Sequence, residues 1–278
     1  MAMATRTTPT PTPDTARLLE GLREQTGGLA DTVVGQDPDT PVPTCPDWPL
    51  RTLVGHVGQE HRWAADILRS RGQLPVPDPW EADPGAPDTW AAWLREGADE
   101  LIDAVRDIGA DTALDTFLGP RPALFWLRRM LGDTCVHHYD AASATGAPFE
   151  VAADLAAEVI TENLTLLATP AFAALRPAVT ELRGDGERLG FQPSQHDPSQ
   201  HDPSQHGAAP GWLITRTPEG PRWKRGPAAE ADVVASGEAA HLMLLLTRRI
   251  PQEDDRVTVK GDAALPTDWL TACERAWS

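Results

Sequence analysis

One short stretch, Arg128 to Asp140, restricts what this chain can fold into more than any other part of the sequence. Read as an α-helix, it places Arg129, Asp133 and His137 four residues apart in turn, in one row along one face. Asp140 extends this row by three residues. A row of cation, carboxylate and imidazole is costly to bury unless its members pair with one another or hold an ion. The sequence therefore predicts that this helix forms the wall of a site, with a metal ion as the leading candidate.

Helical periodicity continues through much of the first part of the chain. After a Thr/Pro-rich tail at residues 1–14, helices are predicted at residues 15–34, 49–71, 88–108, 120–145 and 153–175. Pro- and Gly-rich loops separate them, as in a helical bundle, so a bundle domain is expected over residues 15–175. On the second of these helices, His56 lies on the apolar stripe and is expected to point inward.

The sequence changes character at about residue 176. Short β-like segments are predicted at residues 211–214, 231–234 and 256–259, with helices at about 238–249 and at the end of the chain. This mixture is typical of an α+β domain. The expected fold class is therefore an N-terminal four-helix bundle followed by a smaller C-terminal α+β domain at residues 176–278.

A low-complexity repeat at residues 193–206 carries histidines at intervals of five, His196, His201 and His206. Pro198 and Pro203 exclude a helix there, so a flexible surface loop is the simplest interpretation. Adventitious metal binding by this loop is the alternative.

Composition excludes several classes of function. The formal charge of −17 argues against nucleic acid and against a membrane surface as partners. The 3 cysteines are too few and too scattered for a disulfide framework or a Cys-type zinc site. No apolar run approaches the length of a membrane span, and the N-terminal residues lack the apolar core of a signal peptide. We therefore expect a cytoplasmic protein.

The residues alone leave two interpretations of the polar row open. Asp133 and His137 could form a buried ion pair without a metal, and His56 could be a hydrogen-bonded core histidine. His138 lies one residue off the row and is expected to turn outward. Cys135 lies on the opposite, apolar face and is expected in the core.

Three stretches of the chain resemble the mycothiol-dependent maleylpyruvate isomerase family. The first is Cys-Pro-Asp-Trp-Pro-Leu-Arg-Thr-Leu-Val-Gly-His, from Cys45 to His56. The second is the row from Arg128 to Asp140 with the Gly146 that follows it. The third runs from Leu242 to Asp262 and is similar to the family's C-terminal domain. Together they extend over nearly the whole chain.

The resemblance implies a DinB-like four-helix bundle that carries zinc, followed by a small α+β domain akin to sterol-carrier folds. It implies that His56, Asp133 and His137 bind Zn²⁺, with Asp133 in the place where the family usually has Glu. Three protein ligands with an open fourth position are the catalytic arrangement of zinc. The thiol cosubstrate mycothiol would occupy the fourth position.

The resemblance also implies roles for four further residues. Arg129 and Asp140 of the same motif are expected to bind the thiol cofactor. Arg248 or Arg249 matches a family arginine that faces the site from the second domain and could hold a substrate carboxylate.

Two classes of function follow from this reading. The first is a zinc- and mycothiol-dependent enzyme that acts on a small unsaturated or electrophilic acid as a monomer or dimer. It would be a cis–trans isomerase of the maleylpyruvate type, working by thiolate addition and elimination, or a mycothiol S-transferase. The second is a non-catalytic small-ligand-binding protein with a structural or vestigial metal site, for which the replacement of Glu by Asp133 and the His/Pro insertion leave room.

Overall fold

A computed structural model describes residues 13–194, 210–262 and 264–277 of the 278-residue chain. These residues divide into two compact units, one spanning Pro13–Val151 and the other beginning at Ala152. The histidines of the repeat, His196, His201 and His206, lie outside the described residues. None of the helices in the described ranges has the length and hydropathy needed to span a bilayer.

The first unit contains four long helices and one β-hairpin. In chain order these are α1 (Thr15–Val33), α2 (Leu50–Ser70), α3 (Trp90–Ile108), β1 (Ala113–Thr116), β2 (Gly119–Pro122) and α4 (Leu124–Thr145). Helices α1 and α2 each pack against both α3 and α4, which closes the four helices around one core. The predicted four-helix bundle is therefore confirmed.

Sequence signals fix the ends of these helices. The Asp14 carboxylate accepts a hydrogen bond from the Arg17 backbone N–H and caps the start of α1. Gly146, at φ 72°, ends α4 in the left-handed conformation that glycine adopts without strain. The predicted start of α4 at residue 120 was wrong, because Gly119–Pro122 pairs antiparallel with Ala113–Thr116.

Fully buried aliphatic and aromatic side chains form the core of the bundle. They come from all four helices and include Leu29, Leu53, Val57, Trp90 and Leu94, each 0% exposed. Burying such side chains stabilises the fold by roughly 1.5–3 kcal/mol each. The polar row of α4 therefore lies next to an apolar core.

The second unit is an α+β domain, as predicted. Its five-stranded sheet has the order β5-β4-β3-β6-β7, in which β3 and β6 are parallel and the other neighbours antiparallel. The elements are α5 (Ala153–Leu167), α6 (Pro170–Leu175), β3 (Arg188–Pro193), β4 (Gly211–Thr217), β5 (Gly220–Gly226), β6 (Val233–Gly237), α7 (Ala239–Leu246), β7 (Val257–Gly261) and α8 (Ala264–Trp277). Strands β3 and β5 were not among the predicted elements.

Helix α5 groups with this second unit, although composition had placed the domain boundary near residue 175. It packs against α7, and the Trp212 indole N–H on β4 donates a hydrogen bond to Thr161 Oγ1 over 3.0 Å. The helix predicted over residues 153–175 is also interrupted. Thr169, which precedes Pro170, has an extended ψ of 119°, because proline disfavours the helical conformation in the residue before it.

Candidate metal centre

The polar row of α4 lies beside one histidine of α2, His56, which the resemblance had grouped with Asp133 and His137. His56 Nε2 lies 3.5 Å from Asp133 Oδ2, and His137 Nε2 lies 3.7 Å from Asp133 Oδ1. Each of the three residues offers a ligand atom within 4.8 Å of the other two. The Asp133 carboxylate is therefore held between two imidazole rings that come from different helices.

This donor set fits a divalent metal ion. Bonds of about 2.0–2.1 Å from a tetrahedral zinc to nitrogen or oxygen separate neighbouring ligand atoms by about 3.3 Å. The distances of 3.5 Å and 3.7 Å, each from one imidazole to a different oxygen of Asp133, are close to that separation. Two imidazoles and one carboxylate suit zinc, and they also suit iron, nickel or manganese.

A buried carboxylate orients one of these imidazoles. His137 Nδ1 lies 2.9 Å from Asp140 Oδ2, and the Asp140 side chain is 0% exposed. With its Nδ1–H donated to Asp140, the His137 ring directs the lone pair of Nε2 toward Asp133. The resemblance implied that Asp140 binds the thiol cofactor. Because the Asp140 side chain has no exposed surface, direct contact with that cofactor would need a rearrangement of the site.

The charges around the centre act on Asp133 and on a residue that sequence analysis had not included in the site, Glu60. Desolvation raises the pKa of Asp133, but His137, His56 and Arg129 outweigh it and hold this pKa well below its usual range. Burial and the nearby Asp133 charge raise the pKa of Glu60 to about 7. Glu60 follows His56 by one helical turn on the inward stripe of α2, and that position was the signal that could have revealed it.

Arg129 lies close to both carboxyl groups. Its positive charge lowers the pKa of Asp133 and opposes the rise in the pKa of Glu60. The expected row of Arg129, Asp133 and His137 is thus present on one face of α4, and this face meets α2.

The candidate centre lies in a part of the chain that is similar to a known protein family. Residues 19–142 match a family model described as the mycothiol maleylpyruvate isomerase N-terminal domain. Over these residues, the chain is similar to the N-terminal domain of the mycothiol maleylpyruvate isomerase family. The match includes α2 and α4, so it contains every residue of the candidate centre and confirms the resemblance drawn from the sequence.

Solved structures support the same fold. The chain is similar to the mycothiol-dependent maleylpyruvate isomerase, with a TM-score of 0.54, 16% identity, and coverage of 91% of this chain and 96% of that one. A histidine-to-alanine variant of that enzyme matches with a TM-score of 0.55 at the same identity and coverage. A comparison with curated protein sequences gave no match.

Two further buried histidines, His61 and His138, have neutral hydrogen-bond partners. Burial lowers the pKa of His61 to about 4, and its Nε2 lies 2.8 Å from Thr134 Oγ1. Burial likewise lowers the pKa of His138 to about 4, and its Nδ1–H donates to Gln25 Oε1 over 3.0 Å. The expectation that His138 turns outward was wrong, because this face of α4 packs on α1.

The two arginines expected to hold a substrate carboxylate lie at the end of α7, in the second unit. Arg248 has a left-handed backbone, with φ 61°, and its Nε lies 3.4 Å from Glu274 Oε2. Arg249 donates from Nη1 to the Thr247 carbonyl over 3.0 Å. Their action on a substrate stays a prediction.

Proposed function

We propose that this chain is a metal- and thiol-dependent enzyme of the mycothiol-dependent isomerase type. Zn²⁺ would be bound by His56, Asp133 and His137, with mycothiol as the thiol cosubstrate. One observation carries the proposal: donor atoms from two neighbouring helices converge on one point, and a buried carboxylate orients one of them. The similarity of residues 19–142 to the family model supports this class of reaction.

When bound at these three ligands, zinc lowers the pKa of a thiol in its fourth position, from about 8.5 in free solution toward neutrality. The protein's own groups prepare this position. Asp133 stays ionised, because its pKa lies well below the usual range. Asp140 retains the His137 proton at Nδ1, so that the lone pair of Nε2 points toward Asp133. Glu60 lies beside this centre, and burial together with the Asp133 charge raises its pKa above the usual range before any metal binds.

The substrate in this proposal is a small unsaturated acid. The thiolate sulfur adds to one carbon of the conjugated cis double bond and leaves a single bond about which the chain rotates. Elimination of the same thiolate restores the double bond in the trans form, so no atom is gained or lost. We assign the grip on the substrate carboxylate to Arg248 or Arg249, since a guanidinium binds a carboxylate through two parallel hydrogen bonds. If the second step were absent, the product would be a thioether, and the protein would be an S-transferase.

Metal analysis tests the proposal directly. Elemental mass spectrometry is made on full-length protein in which His196, His201 and His206 are replaced by serine, so that the repeat contributes no metal. We expect close to one zinc per chain, lost in His56→Ala and His137→Ala and kept in the control His241→Ala, whose histidine is in the second unit. Thiol-dependent isomerisation of maleylpyruvate, followed by ultraviolet absorbance, should disappear with the metal.

The opposite result favours the non-catalytic alternative. A folded protein that binds no metal and turns over no thiol adduct would leave Asp133 as a structural partner of its two histidines. The chain would then be better described as a small-ligand-binding protein.

A further inference from the structure

The turn that leads into α2 has a well-fixed backbone. The Trp48 N–H donates to the Cys45 carbonyl over 2.8 Å, and the Cys45 N–H donates to the Val42 carbonyl over 3.0 Å. The Val42 N–H in turn donates to the Trp48 carbonyl over 3.1 Å. We call residues 45–48 the entry turn. Two of its side chains point at the candidate metal centre.

Trp48 contacts the rings of both candidate histidine ligands. Its ring centroid lies 5.6 Å from that of His137, stacked at an interplanar angle of 26°, and 5.0 Å from that of His56, tilted at 58°. The two imidazoles meet edge to face, with centroids 5.0 Å apart. Each of the three rings therefore packs against the other two, which limits rotation of the imidazoles about their side-chain bonds.

Cys45 lies near the Nδ1 edge of His137 and acts on it through Asp140. Its Sγ lies 3.6 Å from Asp140 Oδ2, the oxygen that accepts the His137 Nδ1–H. The thiol is thus a weak donor to the carboxylate that orients the ring. The entry turn therefore contacts His137 on its face through Trp48 and on its Nδ1 edge through Asp140.

This arrangement leaves one ligand more open than the others. The side chain of Asp133 is 25% exposed, against 15% for His56 and 9% for His137. Trp48 lies against the two histidines. A molecule that approaches the centre therefore finds its freest path beside Asp133.

We propose that the entry turn is the positioning element of the metal centre. In this role Trp48 fixes the ring planes of His56 and His137, and Cys45 supports Asp140. The thiol cosubstrate is thereby directed to the Asp133 side of the centre. The inference rests on the proposed function, because it requires a metal at the three ligands.

The test compares metal affinity with metal-free stability in full-length protein that lacks the repeat histidines. Zinc affinity is measured by competition with a chromophoric chelator, and ligand geometry by the visible absorption of the Co²⁺-loaded protein. Removing an outer contact of a metal ligand typically costs about 10–100-fold in affinity. We expect Trp48→Ala to weaken zinc binding by about 10-fold and to shift the Co²⁺ spectrum, and Trp48→Phe to restore most of both.

Cys45 offers a second, milder pair of variants. We expect Cys45→Ala to weaken zinc binding by a few-fold and Cys45→Ser, which keeps a donor to Asp140, to recover it. The matched control for Trp48→Ala is Trp80→Ala, since Trp80 is 58% exposed in the same unit. If Trp48→Ala does not fold, Trp48→Phe and the Cys45 pair carry the test with the same two readouts.

The outcomes separate this inference from the function beneath it. Wild-type affinity and an unchanged Co²⁺ spectrum in the variants, or a loss of metal-free stability alone, would overturn the positioning role and leave the metal centre standing. A wild-type protein without any metal affinity would overturn both.

Discussion

The two faces of α4 bury neighbouring histidines in opposite ways. His137 faces α2 and lies between two carboxylates, Asp133 and Asp140. His138, the next residue, faces α1 and donates to the neutral amide oxygen of Gln25. The hydrogen-bond partner, and not burial itself, decides which of two buried imidazoles can serve as a metal ligand. A carboxylate partner supports a metal-binding or charged ring, whereas an amide partner holds a neutral one.

Helix α2 repeats the contrast. His56 meets the Asp133 carboxylate, whereas His61 meets the Thr134 hydroxyl, which already donates to the Met130 carbonyl. We refer to the side of α4 that carries Asp133 and His137 as the ligand face and to the side that carries His138 as the packing face.

The largest effect is expected from removing a histidine of the ligand face. His137→Ala should abolish zinc binding and reduce thiol-dependent activity by at least about 100-fold, because it removes a metal ligand and the group that Asp140 orients. The measurements are zinc per chain and kcat/KM. His138→Gln is the matched control, and it should keep both values near wild type. A metal-loaded, active His137→Ala protein would remove the distinction between the faces.

A smaller effect is expected one contact further from the metal. Asp140→Asn keeps the size of the side chain but removes the charge that holds the His137 Nδ1 proton, so zinc affinity should fall by about 10–100-fold. Chelator competition measures this change, with Asp99→Asn on the exposed surface of α3 as control. Equal affinity in the two variants would contradict a ligand-orienting role for Asp140.

The packing face should be visible in the pH dependence of stability. The pKa of His138 is about 4 in the folded protein and about 6.5 in the unfolded chain. Below pH 6.5 the unfolded state therefore binds the extra proton, so this residue makes the folded state less stable as the pH falls toward 4. Between pH 7 and pH 5, His138 should lower the free energy of unfolding by about 2 kcal/mol.

Urea unfolding at pH 7 and pH 5 measures this share. His138→Gln should lose less stability over that interval than wild type does, while the contribution of His61, whose pKa is also about 4, remains. Parallel pH profiles for the two proteins would show that His138 does not stay neutral when folded.

Local periodicity explains which of these features the sequence could predict. Residues four apart share a helix face, so the row of Arg129, Asp133 and His137 follows from spacing alone. The same argument placed His56 inward. The partner of His138 could not be predicted, because it depends on how α1 docks against α4.

Other parts of the fold depend on pairing between distant segments. Strand β5, Gly-Pro-Arg-Trp-Lys-Arg-Gly, lacks the apolar alternation of a half-buried strand, and its pairing with β4 defines it. The start of α4 at Leu124 likewise depends on the hairpin before it. Trp48 was placed near the candidate metal centre only by tertiary contacts, whereas the position of Glu60 one helical turn after His56 was already a signal in the sequence. The three candidate metal ligands could be predicted together because the resemblance joined motifs that lie far apart in the chain.

The smallest expected effect concerns the surface that the packing face meets on α1. Gly27 and Gly28 are adjacent, but a Cβ added at Gly28 would lie 2.5 Å from His138 Cε1, whereas one at Gly27 would meet nothing within 4 Å. Alanine favours a helix over glycine by about 1 kcal/mol, so Gly27→Ala should stabilise the protein by up to that amount. Gly28→Ala should destabilise it by about 1 kcal/mol, because the overpacking cost of about 1–3 kcal/mol exceeds that gain. Urea unfolding at pH 7 compares the two variants. Adding His138→Ala to Gly28→Ala should remove the clash, and without that recovery the close contact between α1 and α4 would not be the cause.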